Sequence, residues 1–361
     1  MREGSRPQWD VAIWGTWPPP YGGMATHIVR LLERLEPEDI RARVFNRASG
    51  GQDPPRAVSV RGREVRWFLR FACCAPERVL YVFTGRPLVR LLAWLLRRLR
   101  GKRYILRVGE ESLLKTLAGG WSLGRWATLV ALRGADCVVA VSPHLAEPIL
   151  RAGVPPERVH VIPGFIPPGD PSAEPPAEVT DFARRHCPVL SANGQIWIEA
   201  GRDSYGLDLL LEALDALRRE HPGIGLMLSL YDRRGAVSGL EQLKARIDEM
   251  GLASHVLIRD EPHEFWPMLK HTDIFLRPTR TEGDSGSIRE AIYLGVPVVA
   301  SDAVPRPKPV VLFRSGDGIA FVEAVRSVLG EFDRYKTEFA EATVEDNAQA
   351  VIRLLKHCLC R

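Results

Sequence analysis

Two glutamates, Glu282 and Glu290, stand with seven residues between them in the run Arg277 to Asp302, RPTRTEGDSGSIREAIYLGVPVVASD. Carboxylates are good acceptors for sugar hydroxyls. The EGDSGS segment that begins at the first of them is rich in glycine and serine, and a turn of that kind aims backbone N–H groups at one point. Where such a turn opens a helix, the unpaired donors of the first turn and the partial positive charge of the helix end form a seat for an anion such as a nucleotide diphosphate. The apolar spacing and closing glycine of IREAIYLG predict that helix, and DIFLRPT reads as the end of a buried strand leading into the turn. Glu290 then lies about one turn into the helix, near the same mouth. Taken alone, the pair also reads as one turn residue and one solvated helix residue, so the elements around it must decide.

Those elements alternate. Strand-like runs DVAIWG, RVLYVF, KRYILRV, DCVVAVS and RVHVIP in the first half, then PVLSANG, IGLMLSLY, HVLIRD, DIFLRP and VPVVAS in the second, are separated by amphipathic helix-like runs. This is the pattern of an α/β protein with parallel sheets covered by helices. A chain of 361 residues, 45% of them hydrophobic, is long enough for two cores. Between the halves, PPGDPSAEPPAEVTD reads as a linker or as a surface excursion next to one.

Charge is unevenly spread over that frame. Residues 1–170 hold 26 Lys and Arg against 15 Asp and Glu, whereas the remainder holds 23 against 29. The basic half has a focus at Arg86 to Arg103, RPLVRLLAWLLRRLRGKR, with seven basic residues and no acidic one. A basic amphipathic helix there suits an anionic membrane surface. Its apolar face equally suits packing against a sheet. No helix-turn-helix, zinc-finger or ribonucleoprotein signature accompanies the charge, so nucleic acid is not an expected partner. Cys73, Cys74, Cys137, Cys187, Cys358 and Cys360 show no paired spacing with histidines that suggests zinc. The N-terminus lacks the apolar stretch of a signal peptide, and no apolar run reaches the ~18 residues of a spanning helix. A reduced, cytoplasmic protein is expected, with peripheral attachment to the inner face of the cell membrane as the further expectation from 86–103.

The run with Glu282 and Glu290, including the following GVPVVASD, resembles the E-x7-E signature of retaining family 4 glycosyltransferases of the GT-B type. Three further segments match that family in order: DVAIWGTWPPPYGGMATHIVRLLERL, CVVAVSPHLAEPILRAGVPPERVHVIPGFIPP and YGLDLLLEALDAL. The resemblance implies two Rossmann-like domains facing across a cleft, over 1–168 and 187–344, with a C-terminal helix at 345–361 packing back on the first. It implies a nucleoside diphosphate sugar as donor, held mainly by the second domain, and glycosyl transfer with retention. Glu282 would then contact the donor sugar and Glu290 the ribose, while Gly283, Asp284, Ser285, Gly286 and Ser287 hold the diphosphate. The departing phosphate would accept the acceptor's proton. No cofactor or metal is expected, since no Asp-x-Asp motif is placed at a strand end. In the first domain, Gly22 and Gly23 of PPPYGGM would permit close approach to the donor phosphate and positive φ. Trp17 and Tyr21 suit sugar stacking or packing, and His27 reads as helix-face structure rather than a base.

Three positions depart from the family pattern. Gly109 stands where a histidine is usual, followed by Glu110 and Glu111, and Gln195 and Tyr205 stand where an arginine and a lysine usually clamp the diphosphate. Arg202, Arg233, Arg234, Arg277 and Arg280 are the candidate replacements, with Arg202 and Arg280 favoured because each adjoins a segment assigned to the donor site. The start of the chain and the RPT-x-T-x-GDSGSIREA run are similar to a bacterial exopolysaccharide-associated branch. With the basic first half, this points to a lipid-linked glycan acceptor; a soluble acceptor is the other reading. A non-catalytic nucleotide- or glycan-binding relative, or a GT-B epimerase or phosphorylase, are the alternative functions.

Overall fold

The structure is a computed structural model that describes residues 9–48, 56–63, 65–68, 77–83, 85–109, 112–170, 172–199, 202–230, 237–261 and 263–360. Cys73, Cys74, Glu110, Glu111, Pro171, Arg233 and Arg234 lie outside them. The chain divides into two compact units, one comprising Met1–Gly169 with Asp346–Arg361 and the other Asp170–Glu345. Each is a Rossmann-like parallel sheet flanked by helices.

In the first unit, β1 (Val11–Gly15), β2 (Ala42–Asn46), β3 (Ala57–Ser59), β4 (Val79–Phe83), β5 (Arg103–Val108), β6 (Cys137–Ala140) and β7 (Val159–Val161) form one parallel sheet in the order β3-β2-β1-β4-β5-β6-β7. Central strands are buried on both faces, which is why they read as unbroken apolar runs. Side chains alternate between two cores. Ala12, Trp14, Leu80 and Val82 pack with Val89, Ala93 and Leu96 of helix Pro87–Arg100. Val11, Ile13, Val79 and Tyr81 pack with Ile28 and Leu31 of helix Gly23–Leu35 and with Val351, Ile352 and Leu355 of helix Ala348–Cys360. The last helix is tied in by Asn347, whose Nδ2 donates to the Phe165 carbonyl at 3.1 Å, and by Lys356 on Glu38 at 2.6 Å.

The basic stretch is not one helix. It ends at Arg100, where Gly101 adopts φ 64°, and Arg103 already opens β5. Val89, Ala93 and Leu96 put its apolar stripe into the core, Arg90 is buried, and Arg97 pairs with Asp136 at 2.9 Å. Packing is therefore what the apolar face does.

In the second unit, β8 (Val189–Gly194), β11 (Gly225–Leu230), β12 (Val256–Arg259), β13 (Ile274–Arg277), β14 (Val298–Ser301) and β15 (Val311–Phe313) make a parallel sheet ordered β12-β11-β8-β13-β14-β15. A short antiparallel hairpin, β9 (Ile198–Glu199) and β10 (Arg202–Asp203), follows β8. The strand order reverses between β8 and β13, and open α/β sheets bind ligands at the carboxyl ends of strands at such a switch point. The stretch read as a linker already includes the start of helix Ala177–Arg185, which buries Val179 and Phe182. Among the described residues no helix is long and apolar enough to cross a membrane.

One backbone position is unusually constrained. Gly206 precedes helix Leu207–Leu217 at φ 72°, and a Cβ there would overlap the carbonyl oxygen of Pro278. Gly206→Ala should destabilise the protein by roughly 2–4 kcal/mol, combining left-handed backbone cost with a clash that backbone cannot relieve. Urea unfolding measures it; a loss below ~0.5 kcal/mol, the range of an ordinary surface change, would contradict the tight approach of these two loops.

Candidate active site

The carboxyl ends of β8, β13 and β14 meet the first turn of helix Gly286–Tyr293, where Arg277, Glu282, Arg306, Asp284 and Arg289 gather. Ile288, Ala291 and Ile292 bury that helix against the sheet. Ser285 caps it, its Oγ accepting from the Ile288 N–H at 3.3 Å. A Cβ on Gly286 would meet nothing within 4 Å, so there is open space beside the first helical residue, and the N–H groups of the first turn have no acceptor within the helix. Ser287 Oγ donates to Asn193 Oδ1 at 2.9 Å, tying the helix to the end of β8. Asp284, which precedes the cap, pairs with Arg289 at 3.2 Å. Glu290 is 8% exposed on the same helix.

Glu282 sits in the loop between β13 and this helix, between two arginines. Its Oε1 accepts from Arg277 Nε at 3.1 Å and from Arg277 Nη2; its Oε2 accepts from Arg306 Nη1 and, at 3.4 Å, from Thr279 Oγ1. Four contacts fill the acceptor directions a carboxylate offers. The side chains of Arg306, Arg277 and Glu282 are 2%, 7% and 9% exposed. Arg277 also donates through Nη1 to Asn193 Oδ1 at 2.9 Å, and Arg306 through Nε to the Ser301 carbonyl at 3.1 Å and Nη2 to Thr279 at 3.0 Å. One cluster therefore links β8, β13, β14 and the loop into the helix. Burial pushes the Glu282 carboxyl up, but the guanidiniums of Arg277 and Arg306 more than reverse this and hold it at about 2, below its ordinary 4.5. Two cations on one anion leave a net charge of +1 beside the helix N-terminus.

Of the positions that depart from the family pattern, Tyr205 touches this cluster. Tyr205 lays its ring under the Arg277 guanidinium, 5.1 Å from centroid to Cζ, and Gly194 at the end of β8 leaves room for that ring where a Cβ would clash. Gln195 follows β8 and is half-buried. Arg280 does not point a bare cation at the helix mouth: it makes a two-pronged pair with Asp208 at 2.9 and 2.8 Å and donates to the Asp203 carbonyl. Arg202 is exposed on the hairpin. Asp203 in turn accepts from the backbone N–H groups of Tyr205 and Leu207, shaping the loop that presents the tyrosine.

In the first unit, Gly22 is the N-cap of helix Gly23–Leu35 with φ −84° and ψ 167°, and neither Gly22 nor Gly23 has positive φ. The positive φ that these glycines would permit is not used: extended backbone runs into the helix, and a Cβ on Gly23 would meet nothing within 4 Å. His27 is 3% exposed and its Nδ1 lies 2.7 Å from the Gly164 carbonyl, to which it must donate. Burial first, then the neighbouring Arg107 charge, holds its pKa well below the usual value, so it is a neutral structural ring. Gly109 is exposed after β5, and a Cβ there would come into ordinary contact with Val141.

Arg306, Asn193 and Thr279 escaped sequence reasoning. Arg306 lies between two prolines in a loop after β14, with no local spacing that ties it to Glu282.

Comparison with known proteins places this geometry. Residues 22–164 match the model of a glycosyl transferase 4-like domain, and residues 195–331 match that of glycosyl transferases group 1. The chain belongs to the family 4-like GT-B glycosyltransferases. Among relatives of this glycosyltransferase is the lipopolysaccharide core biosynthesis mannosyltransferase LpsB of Rhizobium meliloti (strain 1021), 27% identical over 206 residues. That match covers 55% of this chain and 53% of LpsB, so the chain aligns with about half the length of that relative. Two solved structures share the GT-B fold. WaaG, a glycosyltransferase involved in lipopolysaccharide biosynthesis, superposes with a TM-score of 0.71 at 14% identity over 96% of this chain and 99% of its own. Anabaena HepE in complex with UDP-glucose gives 0.65 at 15% identity over 97% and 98%.

The depressed carboxyl makes a pH prediction with a definite sign. A folded pKa below the ordinary one contributes stability that is complete above about 4.5 and is lost as pH falls toward about 2. Arg306→Met removes one of the two cations, so stability at neutral pH should fall by about 3–5 kcal/mol, and the acid-dependent loss from Glu282 should be smaller and finish at higher pH because its folded pKa rises toward the ordinary value. Urea midpoints at neutral and acid pH test this; an unchanged acid limb in the variant would mean Arg306 does not hold the Glu282 charge.

Proposed function

We propose that the protein transfers a sugar from a nucleoside diphosphate sugar to a glycan acceptor, with retention at the anomeric carbon, in polysaccharide or lipopolysaccharide assembly. The observation that carries this reading is the first turn of helix Gly286–Tyr293, with open space beside its first residue, at the switch point and next to a cluster with one excess positive charge. The diphosphate sits at the N–H groups of Gly283 to Ser287, and Glu290 accepts from the ribose hydroxyls. As the bond from the anomeric carbon to the phosphate oxygen breaks, charge grows on the diphosphate. Arg277 and Arg306 supply the compensating field from fixed positions, so little reorganisation is needed and no metal is invoked. The acceptor oxygen bonds to the anomeric carbon on the same face, and its proton passes to the departing phosphate oxygen.

In this reading Glu282 acts first as the anchor of the two arginines, because its acceptor directions are already engaged. The usual clamp cations are missing at Gln195 and Tyr205, and Arg277, stacked on Tyr205, brings charge to that place from β13. Arg202 and Arg280 remain candidates for secondary contacts at the rim. The HepE complexes with UDP and UDP-glucose support a uridine donor, and LpsB and WaaG support a glycan acceptor of the lipopolysaccharide kind. A lipid-linked acceptor and a peripheral position on the cytoplasmic membrane face agree with the net basic first half.

A thermal-shift panel of UDP-, GDP-, ADP- and dTDP-sugars tests the donor site: a donor at about 100 times its dissociation constant should stabilise the fold by ~2.7 kcal/mol. Glu290→Gln should weaken that donor by roughly 1–3 kcal/mol. No shift with any nucleotide sugar would overturn the donor assignment, and an inverted anomeric configuration in the NMR spectrum of the product would overturn retention.

A further inference from the structure

The hairpin that follows β8 carries two large apolar side chains in water, Trp197 at 53% exposure and Ile198 at 61%. Its backbone is nonetheless firmly held. Ile196, just before it, packs into the core and lies on Gly239 of helix Val237–Glu249, where a Cβ would come within 2.8 Å of its Cγ2. Ile198 pairs with Asp203 across the hairpin, and Ser204 donates its N–H to the Trp197 carbonyl at 2.8 Å. Ser204 in turn accepts through its carbonyl from the Arg280 N–H at 2.9 Å, and the Asp203 carbonyl accepts from the Arg280 guanidinium. A tryptophan on a base tied in this way has little backbone freedom left to lose when a ligand covers it.

These bonds also place the hairpin. It leaves the carboxyl end of β8, where Asn193 meets Arg277 and Ser287 and where Gly194 receives the Tyr205 ring. It joins the loop after β13 at Arg280, before Glu282, whereas Glu290 lies beyond that loop in the helix. In the proposed donor pose Glu290 marks the ribose, so the hairpin stands toward the opposite end, where the bond from sugar to phosphate breaks.

We propose that Trp197 is a platform on which a pyranose ring of the glycan acceptor stacks, giving the second unit a share in positioning the acceptor. The inference rests on the proposed glycosyl transfer and adds a specificity-determining residue to it. An indole face is electron-rich, and a pyranose offers it a face of C–H bonds. A half-exposed ring suits a sugar, because hydroxyls at the sugar's edge keep their water while the C–H face is covered. Half-buried Gln195 and exposed Arg202, on the same segment, offer hydrogen-bonding groups for those hydroxyls. Two adjacent apolar side chains are far fewer than the roughly 20–30 residues a side of a stable protein interface.

The test is ligand-observed saturation-transfer NMR on the full chain with the methyl glycosides of mannose, glucose and galactose and with mannobiose, and with the open-chain polyol sorbitol as control. Transfer should reach the C–H protons of at least one glycoside and be absent with sorbitol. Its apparent affinity should fall roughly tenfold in Trp197→Ala and be largely restored in Trp197→Phe, with melting temperature and nucleotide-sugar thermal shift unchanged in both. No transfer to any glycoside, or equal affinity in Trp197→Ala, would overturn the platform. A nucleotide-sugar shift lost in Trp197→Ala would overturn the acceptor assignment by moving the ring to the donor. The donor reading fails separately: tryptophan-dependent glycoside binding without any nucleotide-sugar shift in the unaltered chain would leave the platform standing and remove the donor site.

Discussion

A single buried carboxylate between two guanidiniums holds the carboxyl ends of β8, β13 and β14 together. Ion pairs out of water survive only when their geometry is good and the remaining hydrogen-bond positions are filled, because desolvation otherwise exceeds the Coulomb gain. Here the remaining positions are filled by Asn193, Thr279 and the Ser301 carbonyl, which belong to different strands and loops. The electrostatic requirement therefore becomes a geometric one: β8, β13 and β14 must end at the same level, and the loop from Thr279 to Ser285 must fold back over them. Asn193 passes that constraint on to the helix through Ser287.

This arrangement changes what a glutamate of the E-x7-E pair does. Glu290 is 8% exposed on a helix that Ile288 and Ala291 bury. Glu282 has its place set by charge. The excess positive charge comes from a strand end and a proline-bounded loop, supported underneath by the Tyr205 ring and the missing side chain of Gly194. Aromatic support is a physical alternative to a lysine at Tyr205: the ring does not supply the cation but holds one that another element supplies. In the proposed reaction such a field is worth most because it is fixed before the leaving group develops its charge.

The first unit shows the same competition between uses of a side chain. Sheet packing takes Val89, Ala93 and Leu96, and Asp136 takes Arg97, so one face of a stretch that looks like a surface helix in isolation is interior structure.

Parallel strands, two sheets, the turn and helix around Glu282 and Glu290, and the family were legible in the amino-acid order, because each rests on local periodicity or on residues close along the chain. Strand β15 and the hairpin β9–β10 were weaker signals, being only three and two residues per strand. At Gly22 and Gly23 the sign of φ follows from how the chain enters the helix and was decided by the fold. The partner of each charge was likewise a tertiary matter. Arg280 adjoins the turn in sequence yet finds Asp208, while Arg306, 24 residues beyond Glu282, completes its pair. Sequence determines which charges exist and which elements carry them; only the meeting of strand ends determines which are neutralised, because burial makes an unpaired charge too costly and pairing depends on distance in space.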